Sequence, residues 1–361
     1  MEVNMLTTGK ICLAVVGGVV MLTSIGRADS GAVVTREFIY EQAPFAQCHA
    51  STIVQTPSGL VAAWFGGTRE KNPDVCIYVS RHVDGQWTEP MKVADGVQYT
   101  DAEGKVVRHP CWNPVLFQQP GGKLLLFYKV GPDPRAWWGM LTTSDDGGKT
   151  WSWPHRLPEG IYGPIKNKPI LAGDQLICPT SDENNGWRVY FERTADWGRT
   201  WTRTGMHGGL KGQFNAIQPT ILIHPDGRLQ ALCRTQERKI AQIQSTDGGV
   251  TWSGLTATNL PNNNSGLDAV TLRDGRFVLI YNHTTKGRSP LNLAVSEDGE
   301  QWQAGLVLED ERGEYSYPAV IQSDDGLIHI TYTWKRQRVR HVVVDPSKLT
   351  LRPIVDGKWP N

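Results

Sequence analysis

The stretch Ser144-Asp145-Asp146-Gly147-Gly148-Lys149-Thr150-Trp151 decides how the rest of the chain is read. Its template, Ser/Thr-x-Asp-x-Gly-x-Thr-Trp, returns at residues 194–201 and 245–252, with shortened or eroded copies at 296–302 and 80–87. Trp151, Trp201, Trp252 and Trp302 stand 50 or 51 residues apart. A fixed period of that size marks repeated supersecondary units. Within each copy the aspartate and glycine suit a tight turn, and the tryptophan suits packing into a sheet. One catalytic task has no use for five such acids, so the boxes are read as structural.

Working outward from the boxes, each unit holds two apolar strands around a Gly-containing turn. Residues 49–54 and 60–65 flank Pro57-Ser58-Gly59, residues 113–117 and 124–128 flank Pro120-Gly121-Gly122, and 168–171 and 176–178 flank Gly173-Asp174. Three more strands, 218–223, 267–270 and 317–321, each run into an Asp-Gly turn. No stretch sustains a 3.6-residue period long enough for a major helix. Hairpins of this kind cannot bury both faces alone, but six arranged radially bury them against one another. The expected fold is therefore all-β, a six-bladed β-propeller over residues 29–361. The sixth unit ends at His341-Val342-Val343-Val344 without a box. Its outer strand is expected from Glu37-Phe38-Ile39-Tyr40, which would close the ring.

Composition narrows the function. With 361 residues, 20% of them charged, and a net charge of +1, nothing favours nucleic acid or an anionic membrane as partner. The basic run Lys335-Arg336-Gln337-Arg338-Val339-Arg340 alternates with other residues and reads as the solvated face of a strand. Lys10, the apolar run 11–25 and Gly26-Arg27-Ala28 fit an export signal over residues 1–28, cleaved after Ala28. The run is short for a membrane span, so the mature chain is expected to be secreted or periplasmic, with no span left after cleavage. Five cysteines remain, without metal or redox spacing; they read as buried small hydrophobes, with one disulfide left open. The chain has no phosphate loop, no His-Glu-x-x-His and no Gly-x-Ser-x-Gly, so no cofactor or metal is expected.

In a propeller the first strand of each blade lines the central channel. Those strands start with His49, Asn113, Lys168 with Lys166, Gln218, Asp268 with Ser265, and Tyr317 with Tyr315. Converging on one axis, these side chains would make a mixed-charge pocket suited to a hydroxyl-rich, anionic ligand. The expected partner is a glycan or oligosaccharide. Trp137 and Trp138 are expected in the core, and residues 262–265 in a turn whose amides can reach a sugar.

Repeated boxes on six blades behind an export signal resemble the sialidase (neuraminidase) superfamily, in its BNR-repeat branch, over essentially the whole mature chain. The resemblance implies three arginines holding a substrate carboxylate, a tyrosine nucleophile partnered by a glutamate, and an aspartate acid/base on a loop. It places Arg234 and Arg288 on two family arginines, and Tyr317 or Tyr315 on the nucleophile. It places Arg69, Glu70 and Asp74 on the loop that carries a further arginine and the acid/base. Two positions depart from it. His49-Ala50-Ser51 stands where the family has Arg-Ile-Pro, and Gln218 stands where the family has the activating glutamate. An amide cannot take a phenol proton as a carboxylate does.

The expected function is an exo-acting glycosidase on a terminal acidic sugar, with Asp74 or Glu70 as acid and Glu183, Asp268 or Glu314 as partner. A lyase or His-dependent glycosidase using His49 as proton carrier, and a glycan-binding propeller without catalysis, stand beside it.

Overall fold

The computed structural model describes residues 31–209 and 213–360; the expected export signal, residues 1–28, lies outside them. Six antiparallel sheets of four or five strands follow one another along the chain. The innermost strands are Gln47–Thr56, Cys111–Gln118, Ile170–Ala172, Ala216–Ile223, Asp268–Thr271 and Tyr315–Gln322, giving blades 1 to 6 in that order. Among the described residues the helical content is one 3-10 turn, Pro346–Lys348. A two-stranded hairpin, Val97–Thr100 with Val106–Arg108, is inserted between blades 1 and 2.

The core is a ring of layers between neighbouring blades. Leu125, Phe127 and Leu141 of blade 2 pack on Leu176 and Cys178 of blade 3. Phe191 of blade 3 meets Ile221, Ala231 and Trp252 of blade 4. Val278 and Ile280 of blade 5 meet Val320 and Ile330 of blade 6. Second strands are covered on both faces, which is why Leu124 to Tyr128 reads as an unbroken apolar run and Leu124–Val130, Lys129 included, is buried throughout. All five described cysteines are buried free thiols, so none of them is paired with another.

The boxes do the turn work expected of them. In the copy at Ser144, the serine hydroxyl accepts from Gly148 N at 2.8 Å and donates to Asp146. Asp146 in turn accepts from Lys149 N, Thr150 N and Thr150 Oγ1 at 2.7–3.0 Å. Those donors hold the carboxyls of Asp146, Asp196 and Asp247 well below the usual carboxylate range. Trp252 lies flat on Phe191, ring centroids 3.6 Å apart. The eroded copy at 80–87 has become a plain two-residue hairpin turn, Asp84 and Gly85, both at positive φ.

The ring closes as the sequence suggests, with a shifted boundary. Val33–Phe38 pairs antiparallel with Arg338–Val344, Glu37 standing opposite His341. The strand thus begins four residues before the expected Glu37, because alternation at 33–36 already pairs with the last strand; Ile39 still donates to Val339 O.

Candidate functional site

Four blades share a local device that aims side chains at the channel mouth. In each, the innermost strand carries a β-bulge, and its first bulge residue sits at positive φ: Ala50 (57°), Asn113 (36°), Gln218 (54°) and Tyr317 (51°). Three of the four are followed by proline, at 114, 219 and 318. A bulge puts two residues opposite one and re-aims the side chain. A proline there removes no ladder bond and disfavours right-handed helical backbone at the residue before it.

Tyr317 is the hub of what these bulges gather. Its hydroxyl accepts from Arg234 Nη1 at 2.8 Å and from Gln218 Nε2 at 3.1 Å. The Arg288 and Arg234 guanidiniums lie 5.8 and 5.9 Å from its ring, and the Lys166 ammonium 5.9 Å. His49 packs on the ring at 4.1 Å while its Nδ1 bonds Thr333 Oγ1. Burial, joined by the fields of Arg336, Arg288, Arg234 and Lys166, pushes the His49 pKa well down, so the imidazole is neutral. Gly266 backs the same spot. A Cβ there would stand 3.3 Å from Tyr317 Cδ2 and 3.4 Å from both Gln218 Oε1 and Lys166 Cε.

Sequence reasoning missed one member of this group. Arg336, expected on a solvated strand face, is half-buried at the mouth. Its Nε donates to Glu314 Oε1 and one Nη to Glu70 Oε2, both at 2.6 Å. Glu314 Oε1 also accepts from Arg288 Nη1 at 2.6 Å, so Glu70, Arg336, Glu314 and Arg288 form one chain of alternating charge. The reason lies in the backbone: Lys335 and Arg336 form a tight turn at φ 51° and 60°. Arg336 O accepts from Cys48 N at 2.8 Å, which pins the turn beside His49. Neither residue is a glycine or asparagine, so the turn left no mark in the sequence. Arg338 and Arg340 do lie on the outer face, over the Phe38 ring at 3.9 and 3.6 Å.

Arg234 and Arg288 thus flank Tyr317, Arg336 joins Arg288 through Glu314 with its field on His49, and each of the three keeps an Nη2 group without a protein partner among the described residues. Arg234 is further set by Asn264 Oδ1 at 2.8 Å, in the expected turn, and lies 5.1 Å from the Trp187 ring. Beside it, burial raises the carboxyl of Glu183 against the opposing pull of Arg234 and Arg135. Asn113 is buried, and no protein group bonds its amide among the described residues.

Other expected site residues lie elsewhere or are spent. Tyr315 packs among the layer between blades 5 and 6, where burial lifts it to about 12. The bulge at 317–318 breaks the alternation, so Tyr315 and Tyr317, two residues apart, do not share a strand face and only Tyr317 reaches the site. Lys168 and Asp268 pair at 2.9 Å. Asp268 also accepts from Thr220 Oγ1 and Val320 N, and so binds blades 3, 4, 5 and 6 together. Lys168 lines a separate cavity of about 600 Å³ with Gln55, Gln118 and Gln322, at the hairpin-turn end of the channel. Lys166 is buried, its ammonium held by Asn167 Oδ1, Leu267 O and Pro318 O, and burial lowers it to about 7. Arg69 is exposed, and Asp74, also exposed, accepts from Thr68 N and Oγ1 at 2.8 and 2.5 Å. Trp137 is core, against Trp112 and Ile165; Trp138 is half-buried under Arg156.

A six-bladed propeller with box turns, and a tyrosine among arginines at its mouth, defines a sialidase-like protein. The family model described as a BNR repeat-like domain matches residues 58–330, and the chain belongs to that family. An anhydrosialidase of Macrobdella decora is 24% identical over 233 residues, 54% of this chain; the chain spans only 30% of that relative's length. The NanB sialidase of Streptococcus pneumoniae superposes with a TM-score of 0.71 at 14% identity, over 87% of this chain and 71% of its own. The intramolecular trans-sialidase of Ruminococcus gnavus does so with 0.70 at 15%, over 90% and 100%.

Proposed function

We propose that the protein is an exported, exo-acting glycoside hydrolase that removes a terminal acidic sugar from a complex glycan. The observation that supports this is a set of three guanidiniums, Arg234 and Arg288 beside Tyr317 and Arg336 linked to Arg288 through Glu314, which outnumber the two carboxylates, Glu70 and Glu314, bonded into them. Free Nη2 groups on all three suit a sugar carboxylate, which accepts paired, charge-assisted hydrogen bonds. The Glu183 carboxyl, within the field of Arg234, and the Asn113 amide, on the equivalent bulge of blade 2, suit ring hydroxyls. The sialidase-like relatives support the hydrolase class. His49 and Gln218, at positions where such enzymes carry arginine and glutamate, favour an acidic sugar other than sialic acid.

The test is a panel of 4-methylumbelliferyl glycosides of N-acetylneuraminic, glucuronic and galacturonic acids, with neutral glycosides as controls. Mass spectrometry of the products would separate a free sugar from an internally cyclised one. Turnover of neutral glycosides alone refutes the reading. A second reading, elimination from a uronate, is favoured by the neutral His49 ring packed on Tyr317. Ultraviolet absorbance of an unsaturated product would establish it instead.

A further inference from the structure

The Tyr317 oxygen is held by donors. Arginine only donates, so the Gln218 atom 3.2 Å from Arg234 Nη1 has to be Oε1. That fixes Gln218 Nε2 toward the phenol, at 3.1 Å, while Arg234 Nη1 reaches the same oxygen at 2.8 Å. The amide cannot turn over without setting its NH₂ against the guanidinium. Its backbone is fixed as well, by Ser181 Oγ on Gln218 N and Asn167 Nδ2 on Gln218 O. Both lone pairs of Tyr317 Oη therefore accept, and among the described residues no group accepts its proton. A carboxylate at 218 would accept from the arginine and from the phenol alike. The amide reverses the second bond.

Taking the hydrolase reading above as given, we infer that Tyr317 is the proton donor of this site, with Gln218 as its positioning residue. The Tyr317 O–H bond breaks as its proton moves to the glycosidic oxygen. The anomeric C–O bond breaks with its electron pair on that oxygen, and the aglycone leaves as an alcohol. The phenolate is held by Arg234 Nη1 and Gln218 Nε2, donors already aimed at the atom where charge develops. Water adds to the anomeric carbon and returns one proton to the phenolate. One water is consumed, and the tyrosine is restored without a covalent adduct.

The experiment compares substrates that differ in leaving group, using the full chain and the acidic sugar turned over in the panel. Its methyl glycoside needs leaving-group protonation and its 4-methylumbelliferyl glycoside does not. Tyr317→Phe is expected to lose ~10²–10⁴-fold in kcat/KM on the first, as removal of a general acid does, and less than about tenfold on the second. Gln218→Glu, whose carboxylate would take the phenol proton, is expected to show the same split, with circular dichroism confirming that both variants fold. Equal losses on both substrates, a gain of activity in Gln218→Glu, or a Tyr317 adduct from a fluorinated glycosyl fluoride would overturn the inference. So would a leaving-group split in Asp74→Asn that Tyr317→Phe lacks, which would return the proton to Asp74. Absence of turnover by the unmodified chain refutes the hydrolase reading and this inference with it.

Discussion

Replacing Arg336 by methionine tests the anion cradle at the point where it departs most from the expected pattern. The side chain is 22% exposed and makes two charge-assisted hydrogen bonds of 2.6 Å, to Glu314 and Glu70. Its unpartnered Nη2 is the group offered to the ligand. A hydrogen bond to a charged group contributes about 1.5–3 kcal/mol. At a factor of ten per ~1.4 kcal/mol, its loss predicts a fall in kcat/KM of roughly 10- to 150-fold. The loss belongs in the upper half of that range, because Glu314 stays bonded to Arg288 and then competes with the substrate for it. Stability is expected to change little, about 1 kcal/mol, since both carboxylates are about a third exposed and water screens them. Steady-state kinetics on the preferred acidic aryl glycoside and urea denaturation read the two effects separately. Arg336→Lys, which keeps the charge without the fork, is expected to recover only part of the loss. If Arg336→Met retains kcat/KM within about twofold of the native chain, the residue is a structural ion-pair partner and the cradle has two arginines.

Asn113→Ala is expected to raise KM about three- to tenfold, since its amide bonds no protein group among the described residues, and to cost about 1 kcal/mol of stability because alanine tolerates the positive φ there less well than asparagine; an unchanged KM would refute the role. Asp268→Asn breaks a buried pair and its ties to Thr220 and Val320, and is expected to cost about 3–5 kcal/mol in urea denaturation. A cost under about 1 kcal/mol would show that the four blades it joins do not depend on it. Acid should weaken the fold through His329, which burial and the facing His341 hold at about 4, against 6.5 for a free imidazole. The unfolded chain binds the extra proton between those values, so stability falls as pH drops from 6.5 to 4, by at most about 3 kcal/mol. His49 is displaced in the same direction, so His329→Gln should flatten the pH dependence in part, and an unchanged slope would refute the assignment.

The blades were legible because their turns are built by residues with few other uses. Asp146, Gly148 and Thr150 form one hydrogen-bonded knot, and repeating it fixed the count and the spacing. Arg234, Arg288, Tyr317, Gln218 and His49 could be found by counting from those turns. The bulges were written in the chain as Asn113-Pro114, Gln218-Pro219 and Tyr317-Pro318 but needed a backbone to be read. Without them Tyr315 and Tyr317 looked equivalent. Lys168 and Asp268 both start inner strands, and only their mutual distance shows that each neutralises the other. Arg336 was illegible for a different reason: its turn adopts positive φ without the residues that favour it.

The junction between the first and last blades couples folding to chemistry. Val33 pairs with Val344, contacts that a growing chain can make only after residues 33–344 have emerged, and the entropy of closing so long a loop has to be met first. Until then the edge of Arg338–Val344 lies bare, open to pairing with other chains. The same junction carries the bond from Cys48 N to Arg336 O, which sets the third guanidinium in place. A ring that has not clasped therefore has an incomplete anion cradle, and the proposed activity waits on the pairing of Val33–Phe38 with Arg338–Val344.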